Sequence, residues 1–180
     1  MTRNQVPVLF SETEIRARVT QIAYAIAAMD DVPEIALPIL VGGFVFAADL
    51  LRALHACCVS LPVEFLQLQS YGDKRMARGE IQVLMGPGQN IRSRHVLLID
   101  GVLDHGRTLA RARDLAVSAG ARAVTSVVAI DKRRSGALLT ADFAAFTHVA
   151  HFVVGYGMDD AGKLRALPYI GAVGANLTQE

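Results

Sequence analysis

The sequence predicts an α/β fold built on a mainly parallel sheet. Short apolar runs alternate along the chain with segments of helical periodicity, and this alternation is typical of βαβ units. Of the 180 residues, 52% are hydrophobic and 19% are charged, which favours a sheet covered on both faces and excludes a disordered chain. We expect one domain that spans residues 1–180.

The first helix is predicted over residues 12–29, where apolar side chains recur at helical spacing. Ser11 and Glu14 are placed as a capping box at its start. The apolar run at 36–41 stops at two glycines and predicts a buried strand, and the pattern over 44–57 predicts a second helix.

The middle of the chain is predicted to hold two strands around a polar segment. Residues 61–68 and 81–85 are the strand-like runs, and residues 70–79 between them are polar and basic. Charge alone leaves the polar segment open to interpretation as an ordinary solvated loop. Residues 86–94 are rich in turn formers and predict a connection.

The remaining elements follow the same alternation. Residues 96–99 form the clearest buried strand, and a helix is predicted over 108–119 with Gly120 at its carboxyl end. Strands are predicted over 122–130 and 151–154. In such sheets the functional site lies beyond the carboxyl ends of the strands, so the segments that follow the apolar runs are the candidates.

The charge balance excludes some partners. Lysine and arginine number 18 against 17 acidic residues, a net charge of +1, so we expect no binding to nucleic acid or to anionic membranes. Cys57 and Cys58 are adjacent and form neither a disulfide framework nor a metal-ligand spacing. Because no leader or membrane-spanning run is recognised, we expect a cytoplasmic protein.

The most informative stretch begins at Val96 and reads VLLIDGVLDHGRTL. A buried strand delivers Asp100, Asp104 follows four residues later, and Gly106 and Thr108 open a helix. A helix amino terminus offers free N–H groups and a positive dipole end, so this loop suits a phosphate, and the carboxylates suit sugar hydroxyls or hydrated Mg²⁺. The residues alone equally allow a βα unit whose acids cap the helix.

This stretch resembles the phosphoribosyl-pyrophosphate motif of type I phosphoribosyltransferases, which runs strand, two acids, two apolar residues, aspartate, small polar residue, glycine, any residue, threonine. Other segments resemble the hypoxanthine–guanine branch of that family, in the same order along the chain: residues 40–50, Ser70 to Gly72, Lys132, residues 152–159 and Arg165. The resemblance implies the type I phosphoribosyltransferase fold, with a small hood formed from about residues 1–30 and 151–180.

The resemblance also implies an activity. The protein would transfer the phosphoribosyl group from 5-phosphoribosyl 1-pyrophosphate to a 6-oxopurine base, hypoxanthine or guanine, in purine salvage. The products would be a nucleoside monophosphate and pyrophosphate, with Mg²⁺ as cofactor. The family's assemblies imply a homodimer or homotetramer.

Roles for individual residues follow from the same resemblance. Asp104 would be the general base that takes the proton from a purine nitrogen. The phosphoribosyl pyrophosphate or 5′-phosphate would be bound by Asp100, Gly101, His105, Gly106, Arg107 and Thr108. Pyrophosphate would be bound by Val41, Gly42, Gly43 and Arg165. The purine would be bound by Lys132, Phe152, Val153 and Asp159, and the metal by Asp100 and Asp159.

Several of these residues also have ordinary structural interpretations. Lys132 fits a solvated loop, Phe152 fits the core, and Gly42 and Gly43 fit a common βα turn. The resemblance further implies a cis peptide between Leu40 and Val41. It also implies a mobile catalytic loop that begins at Ser70 and Tyr71 and closes over the reacting centre.

Three positions depart from the family pattern. Gly101 replaces the second of two acids that hold the ribose hydroxyls, His105 is bulkier than the usual residue, and Val41 stands where lysine is common. Loss of a charged hydrogen bond costs roughly 1.5–3 kcal/mol, or about 10- to 150-fold in affinity, so Gly101→Asp is expected to tighten substrate binding. The departures keep a second function open, a weakly catalytic or non-catalytic sensor of nucleotide or phosphoribosyl pyrophosphate.

Overall fold

The computed structural model describes residues 6–70 and 81–174. Within these ranges the elements are β1 (Val8–Phe10), α1 (Glu12–Ala27), β2 (Ile35–Leu40), α2 (Phe44–Ala56), β3 (Leu66–Ser70), β4 (Ile81–Met85), β5 (His95–Leu103), α3 (Arg107–Ser118), β6 (Ala123–Asp131), β7 (Phe143–Thr147), β8 (Phe152–Val154) and β9 (Ile170–Val173). No helix in these ranges is both long and apolar enough to cross a membrane.

The central sheet has six strands in the order β4-β3-β2-β5-β6-β7. Its neighbours pair in parallel except for β4, which is antiparallel to β3 at one edge. The carboxyl ends of β2, β5 and β6 therefore meet at one edge of the sheet. The predicted α/β fold class with a mainly parallel sheet is confirmed.

Helices cover both faces of this sheet because its central strands are apolar on both sides. On β5, Leu97 and Ile99 pack into a core shared with α1 and α2. Val96 and Leu98 point the other way and pack into a second core shared with α3. All four side chains are fully buried, as the continuous apolar run predicts for a central parallel strand.

The helix ends follow the sequence signals. Ser11 Oγ accepts from the Glu14 backbone N–H, and the Glu14 carboxylate accepts from the Ser11 N–H, so the predicted capping box is present. Gly120 has φ +93° directly after the last turn of α3, a conformation that favours glycine.

A second, three-stranded antiparallel sheet has the order β1-β9-β8. It joins the start of the described chain to its end and carries Phe152 and Val153 toward the main sheet's carboxyl edge. Helix α1, which lies within the predicted hood, packs on α2 and on β7 of the main sheet. The limits of the hood stay a prediction.

Two strand boundaries differ from the prediction by more than two residues. The strand expected from residue 61 begins at Leu66, because Pro62 lacks an N–H and Val63 makes only an isolated bridge to Ala36. Strand β5 continues through Leu103 because it keeps its pairing with β6, so Asp100 lies inside a strand and not in the following loop. Strands β1, β7 and β9 were not predicted.

Candidate active site

A cavity of about 730 Å³ opens at the carboxyl ends of β2, β5 and β6. It collects most of the sequence-predicted site residues: Val41, Gly42, Asp100, Gly101, Asp104, Thr108, Lys132, Phe152, Val153, Asp159 and Arg165. Gly43, His105, Gly106 and Arg107 are not among its lining residues. Residues that are distant in the sequence therefore share one site.

The loop after β2 reaches the cavity through Val41 and Gly42. The Leu40–Val41 peptide is cis, as the resemblance implies. The Gly43 N–H already donates to the Ile39 carbonyl at 3.2 Å, so in the free protein that amide has an acceptor other than a substrate phosphate. A Cβ on Gly43 would stand 3.0 Å from the Ile39 oxygen and 3.1 Å from the Asp100 Cα, which explains the glycine by close packing.

Two other glycines enclose the carbonyl oxygen of Gly42. A Cβ on Gly101 would lie 2.8 Å from this oxygen, and a Cβ on Gly157 would lie 2.7 Å from it. Real Cβ atoms do not approach a backbone oxygen so closely. The loop therefore occupies its position because residues 101 and 157 both lack side chains. We call Gly42, Gly101 and Gly157 the glycine contact.

Gly101→Asp is now expected to weaken phosphoribosyl pyrophosphate binding, contrary to the expectation from sequence. The new Cβ would displace the backbone of Gly42, and such overpacking costs typically about 1–3 kcal/mol. Gly101→Ala should show the same loss, because the clash arises at Cβ. The measurement is KM for phosphoribosyl pyrophosphate together with the urea midpoint.

Gly86→Ala is the matched control for the two Gly101 variants, because a Cβ at Gly86 meets nothing within 4 Å. Tighter substrate binding by Gly101→Asp with an unchanged urea midpoint would contradict the steric argument.

Asp100 is a buried carboxylate at the floor of the cavity. Its side chain is 8% exposed, and Oδ1 accepts from the Gly101 N–H at 2.7 Å. Burial raises the pKa of Asp100 to about 7, against the smaller opposing effect of that hydrogen bond. A cation in the cavity would favour the charged form.

Asp100→Asn is expected to stabilise the free protein at pH 8. The pKa of Asp100 is about 7 in the folded protein against an ordinary value of 3.8, so stability falls as the pH rises between these values and stays reduced above them. Removing the charge should raise the free energy of unfolding by at most about 4 kcal/mol at pH 8, with little change at pH 4. Urea denaturation at both pH values measures this, and an equal effect at both would contradict it.

Asp104 directly follows β5 and meets three basic side chains. Oδ1 pairs with Arg134 Nε and lies 3.1 Å from His105 Nδ1, and Oδ2 lies 3.3 Å from Lys132 Nζ. Burial acts to raise the pKa of Asp104, but the Arg134 hydrogen bond and the Lys132 charge outweigh it and hold the pKa below its ordinary value. The carboxylate is therefore ionised at neutral pH and able to accept a proton.

The alternative role of Asp104 as a helix cap is not seen. The residue that begins α3 as its N-cap is Gly106, with φ +79° and no side-chain cap hydrogen bond. A Cβ on Gly106 would lie 3.3 Å from the Leu139 nitrogen, so both the backbone angle and the space require glycine. Thr108, in the first turn of α3, lines the cavity.

Lys132 and Phe152 also lose their alternative interpretations. The Lys132 side chain is only 6% exposed, and the backbone N–H of Lys132 donates to the Leu103 carbonyl at 3.0 Å, so Lys132 is not a solvated loop lysine. Phe152 is 52% exposed and lines the cavity, so it is not a core residue. Val153 is buried beside it, with its backbone paired to β9.

Asp159 and Arg165 are paired with each other. Arg165 lies 2.7 Å from Asp159 Oδ1 and also donates to the Gly157 carbonyl at 2.7 Å. Asp159 Oδ2 accepts from the Gly162 N–H at 2.6 Å. A metal ion or pyrophosphate at these side chains would therefore compete with contacts that the free protein makes.

Sequence reasoning missed several residues of the site. Leu68, Gln67 and Gln69 of β3 line the cavity, and so does Leu84 of β4. The register that places Gln67 beside Leu40 brings this strand against the cis peptide. The sequence signal for this part of the site is the pair Gln67 and Gln69, whose spacing of two predicts the same face of a strand beside the loop at Gly42. Ser70 ends β3, whereas Tyr71 and residues 72–79 of the predicted mobile loop lie outside the described residues.

The comparisons with known proteins agree with this geometry. The phosphoribosyl transferase domain family matches residues 11–161. The hypoxanthine-guanine phosphoribosyltransferase of Bacillus subtilis (strain 168) is 32% identical over 168 residues, which cover 92% of each chain. The bifunctional protein TilS/HprT of Listeria innocua is 30% identical over 175 residues, and the chain spans only 26% of its length.

A solved structure shows the same fold. The hypoxanthine phosphoribosyltransferase of Trypanosoma cruzi, in complex with the product IMP, superposes with a TM-score of 0.82 at 28% identity and 96% coverage of both chains. Family match, relatives and fold all point the same way. The chain belongs to the phosphoribosyl transferase domain family, in its hypoxanthine–guanine branch.

Proposed function

We propose that the protein transfers the phosphoribosyl group of 5-phosphoribosyl 1-pyrophosphate to hypoxanthine or guanine, giving IMP or GMP and pyrophosphate in purine salvage. The observation that carries this proposal is the position of Asp104. An ionised carboxylate lies in one cavity with the buried Lys132, the exposed ring of Phe152 and the loop at Gly42. This set supplies a base, a hydrogen-bond donor, a stacking surface and an anion site.

The purine would be held by three features of the cavity. The Phe152 ring offers a flat apolar surface, and the Lys132 ammonium is a donor for the 6-oxo group. Asp104 would accept the proton from the ring nitrogen as the new bond to the sugar forms. Lys132 contacts Asp104 in the free protein, so one side chain would position both the base and its proton acceptor.

The phosphate groups would be held by backbone and arginine donors. The amino terminus of α3, with Thr108 in its first turn, suits the 5′-phosphate. Val41 and Gly42 line the same cavity and would contact the departing pyrophosphate, and Arg165 would contribute a charge after its contacts rearrange. Alignment of the base, the sugar and the pyrophosphate, and neutralisation of the departing charge, are the two contributions that these residues would make to the rate.

We further propose that Asp100 and Asp159 hold Mg²⁺, whose charge would offset that of the pyrophosphate. The chemistry of the donor set fits this ion, because Asp100 is a buried carboxylate that accepts only from the Gly101 N–H among the described residues. Asp159 would exchange its contact with Arg165 for the ion. The described part of the chain has no group of three or more His, Cys, Asp or Glu able to hold a metal. Mg²⁺ commonly takes one or two carboxylates and completes its shell with phosphate and water, so two suffice.

A turnover assay of the purified protein tests the proposal. Hypoxanthine, guanine, xanthine and adenine are each supplied with phosphoribosyl pyrophosphate, with and without Mg²⁺. We expect nucleotide and pyrophosphate in equal amounts from hypoxanthine or guanine, and none when Mg²⁺ is chelated. Tight nucleotide binding without turnover would instead support the sensor, which Gly101 and His105 favour.

We also propose a homodimer or homotetramer in the cytoplasm. Phe65 precedes β3 and Met85 ends β4, and both are exposed at this edge of the main sheet. Exposed apolar residues at a sheet edge are typical of a surface that pairs with another subunit. Sedimentation velocity of the wild type and of Met85→Lys tests the assembly.

A further inference from the structure

The general base proposed above has a basic partner on each carboxylate oxygen in the free protein. Asp104 Oδ1 contacts Arg134 and His105, and Oδ2 contacts Lys132. Cationic partners stabilise the charged form of a carboxylate and so lower its affinity for a proton. Departure of one of the three side chains on substrate binding would therefore make Asp104 a better base.

Arg134 is the partner that is free to leave. Lys132 is buried, and its backbone N–H extends the β5–β6 pairing. His105 is exposed as well, but Arg134 is the exposed partner with a permanent positive charge, which a phosphate attracts. The Arg134 side chain is 43% exposed. An ion pair in contact with water is weak, so its exchange for another anion is easy.

The segment that carries Arg134 is anchored while its side chain reaches outward. On one side, Arg133 is held by the buried Asp131, with its N–H 2.8 Å from Oδ1 and Nε 2.9 Å from Oδ2. On the other side, the Leu138 N–H donates to the His105 carbonyl at 3.0 Å. The segment therefore packs directly on the loop that begins α3.

This placement would bring Arg134 close to a second anion, the 5′-phosphate of a bound nucleotide. The loop at the start of α3 is where the proposed function puts the 5′-phosphate. A guanidinium forms stronger, often bidentate, hydrogen bonds with phosphate, whose charge at neutral pH exceeds that of one carboxylate. Charge balance therefore favours movement of Arg134 from Asp104 to the phosphate when the loop is filled.

We propose that Arg134 pairs with Asp104 in the free protein and with the 5′-phosphate of the bound nucleotide, so that phosphate binding releases the carboxylate for the purine. The inference rests on the proposed function for the position of the phosphate. It assigns a substrate-dependent role to a residue that the sequence motifs do not include.

Calorimetry with IMP and with inosine tests the phosphate contact. Arg134→Gln is expected to weaken IMP binding by about 10-fold or more, the loss of one charged hydrogen bond, and to leave inosine binding unchanged. Arg113→Gln is the control, since it removes the same charge from an exposed position on α3. Equal weakening of IMP and inosine, or no weakening of IMP, would overturn the proposal.

A double-mutant cycle with Asp104→Asn tests the exchange itself. Asp104→Asn removes the competitor for Arg134, so it should tighten IMP binding in the wild-type background and have little effect in the Arg134→Gln background. Additive effects would overturn the exchange. A structural role for Arg134 would lower the urea midpoint without this coupling.

The turnover assay separates the two proposals. Absence of turnover by the wild type together with a coupled cycle would reject the enzymatic function and retain the role of Arg134. Normal turnover with an additive cycle would retain the function and reject the role of Arg134. A wild type that binds no IMP would overturn both.

Discussion

Replacement of Asp104 by asparagine is expected to lower kcat by about 10²–10⁴-fold, the usual contribution of a general base. Asparagine keeps the shape and one acceptor oxygen but takes up no proton. Arg134 and Lys132 hold the pKa of Asp104 below its ordinary value, so the carboxylate is in the ionised form that a general base requires. The measurement is kcat at saturating hypoxanthine and phosphoribosyl pyrophosphate.

The control for this change is Asp114→Asn, which removes an exposed carboxylate from α3. GMP affinity, measured by calorimetry, should be at least retained in Asp104→Asn, because the phosphate and purine contacts remain. An unchanged kcat would remove Asp104 from the mechanism. A loss of GMP binding equal to the loss of kcat would make it a binding residue only.

The second large effect concerns the choice of base. If Lys132 donates to the 6-oxo group, the wild type should prefer hypoxanthine to adenine by a factor on the order of 10⁴ in kcat/KM, because the 6-amino group of adenine offers that donor no comparable acceptor. The buried, ordered Lys132 makes this discrimination strong, since a flexible surface lysine could turn away at little cost.

Lys132→Met tests the same contact from the protein side. Methionine is similar in length but donates no hydrogen bond, so kcat/KM for hypoxanthine should fall and the preference over adenine should shrink. Adenine turnover serves as the internal control for effects on Asp104, which lies 3.3 Å from the Lys132 Nζ. Comparable use of adenine and hypoxanthine by the wild type would show that Lys132 does not select the base.

The sequence pattern predicted the elements that have strong local signals. Helix α1 has a capping box and β2 ends at two glycines, and both lie within two residues of the predicted bounds. Strand β7 reads FAAFT, and its alanines have low strand propensity, so only its pairing with β6 makes it a strand. Short strands β1 and β9 likewise depend on each other.

The site was predictable only where a motif marks it. Asp104 and Lys132 belong to recognisable segments, but Arg134 is 30 residues from Asp104 along the chain. The two meet because the β5–β6 register sets Leu103 beside Asp131, so the segments after both strands start side by side. Local periodicity does not encode such a register, since it depends on packing of the whole sheet.

The glycine contact has a consequence for how this protein can evolve. A second acid at position 101 is one codon's change away in principle. Its effect depends on residue 42, whose backbone fills the space and whose carbonyl oxygen Gly157 also approaches. The fitness value of that substitution is therefore set by its background, which is epistasis with a steric origin. We therefore expect Gly101→Asp by itself not to tighten substrate binding. A library that varies positions 41–43, 101 and 157 together is the way to obtain a second acid that does.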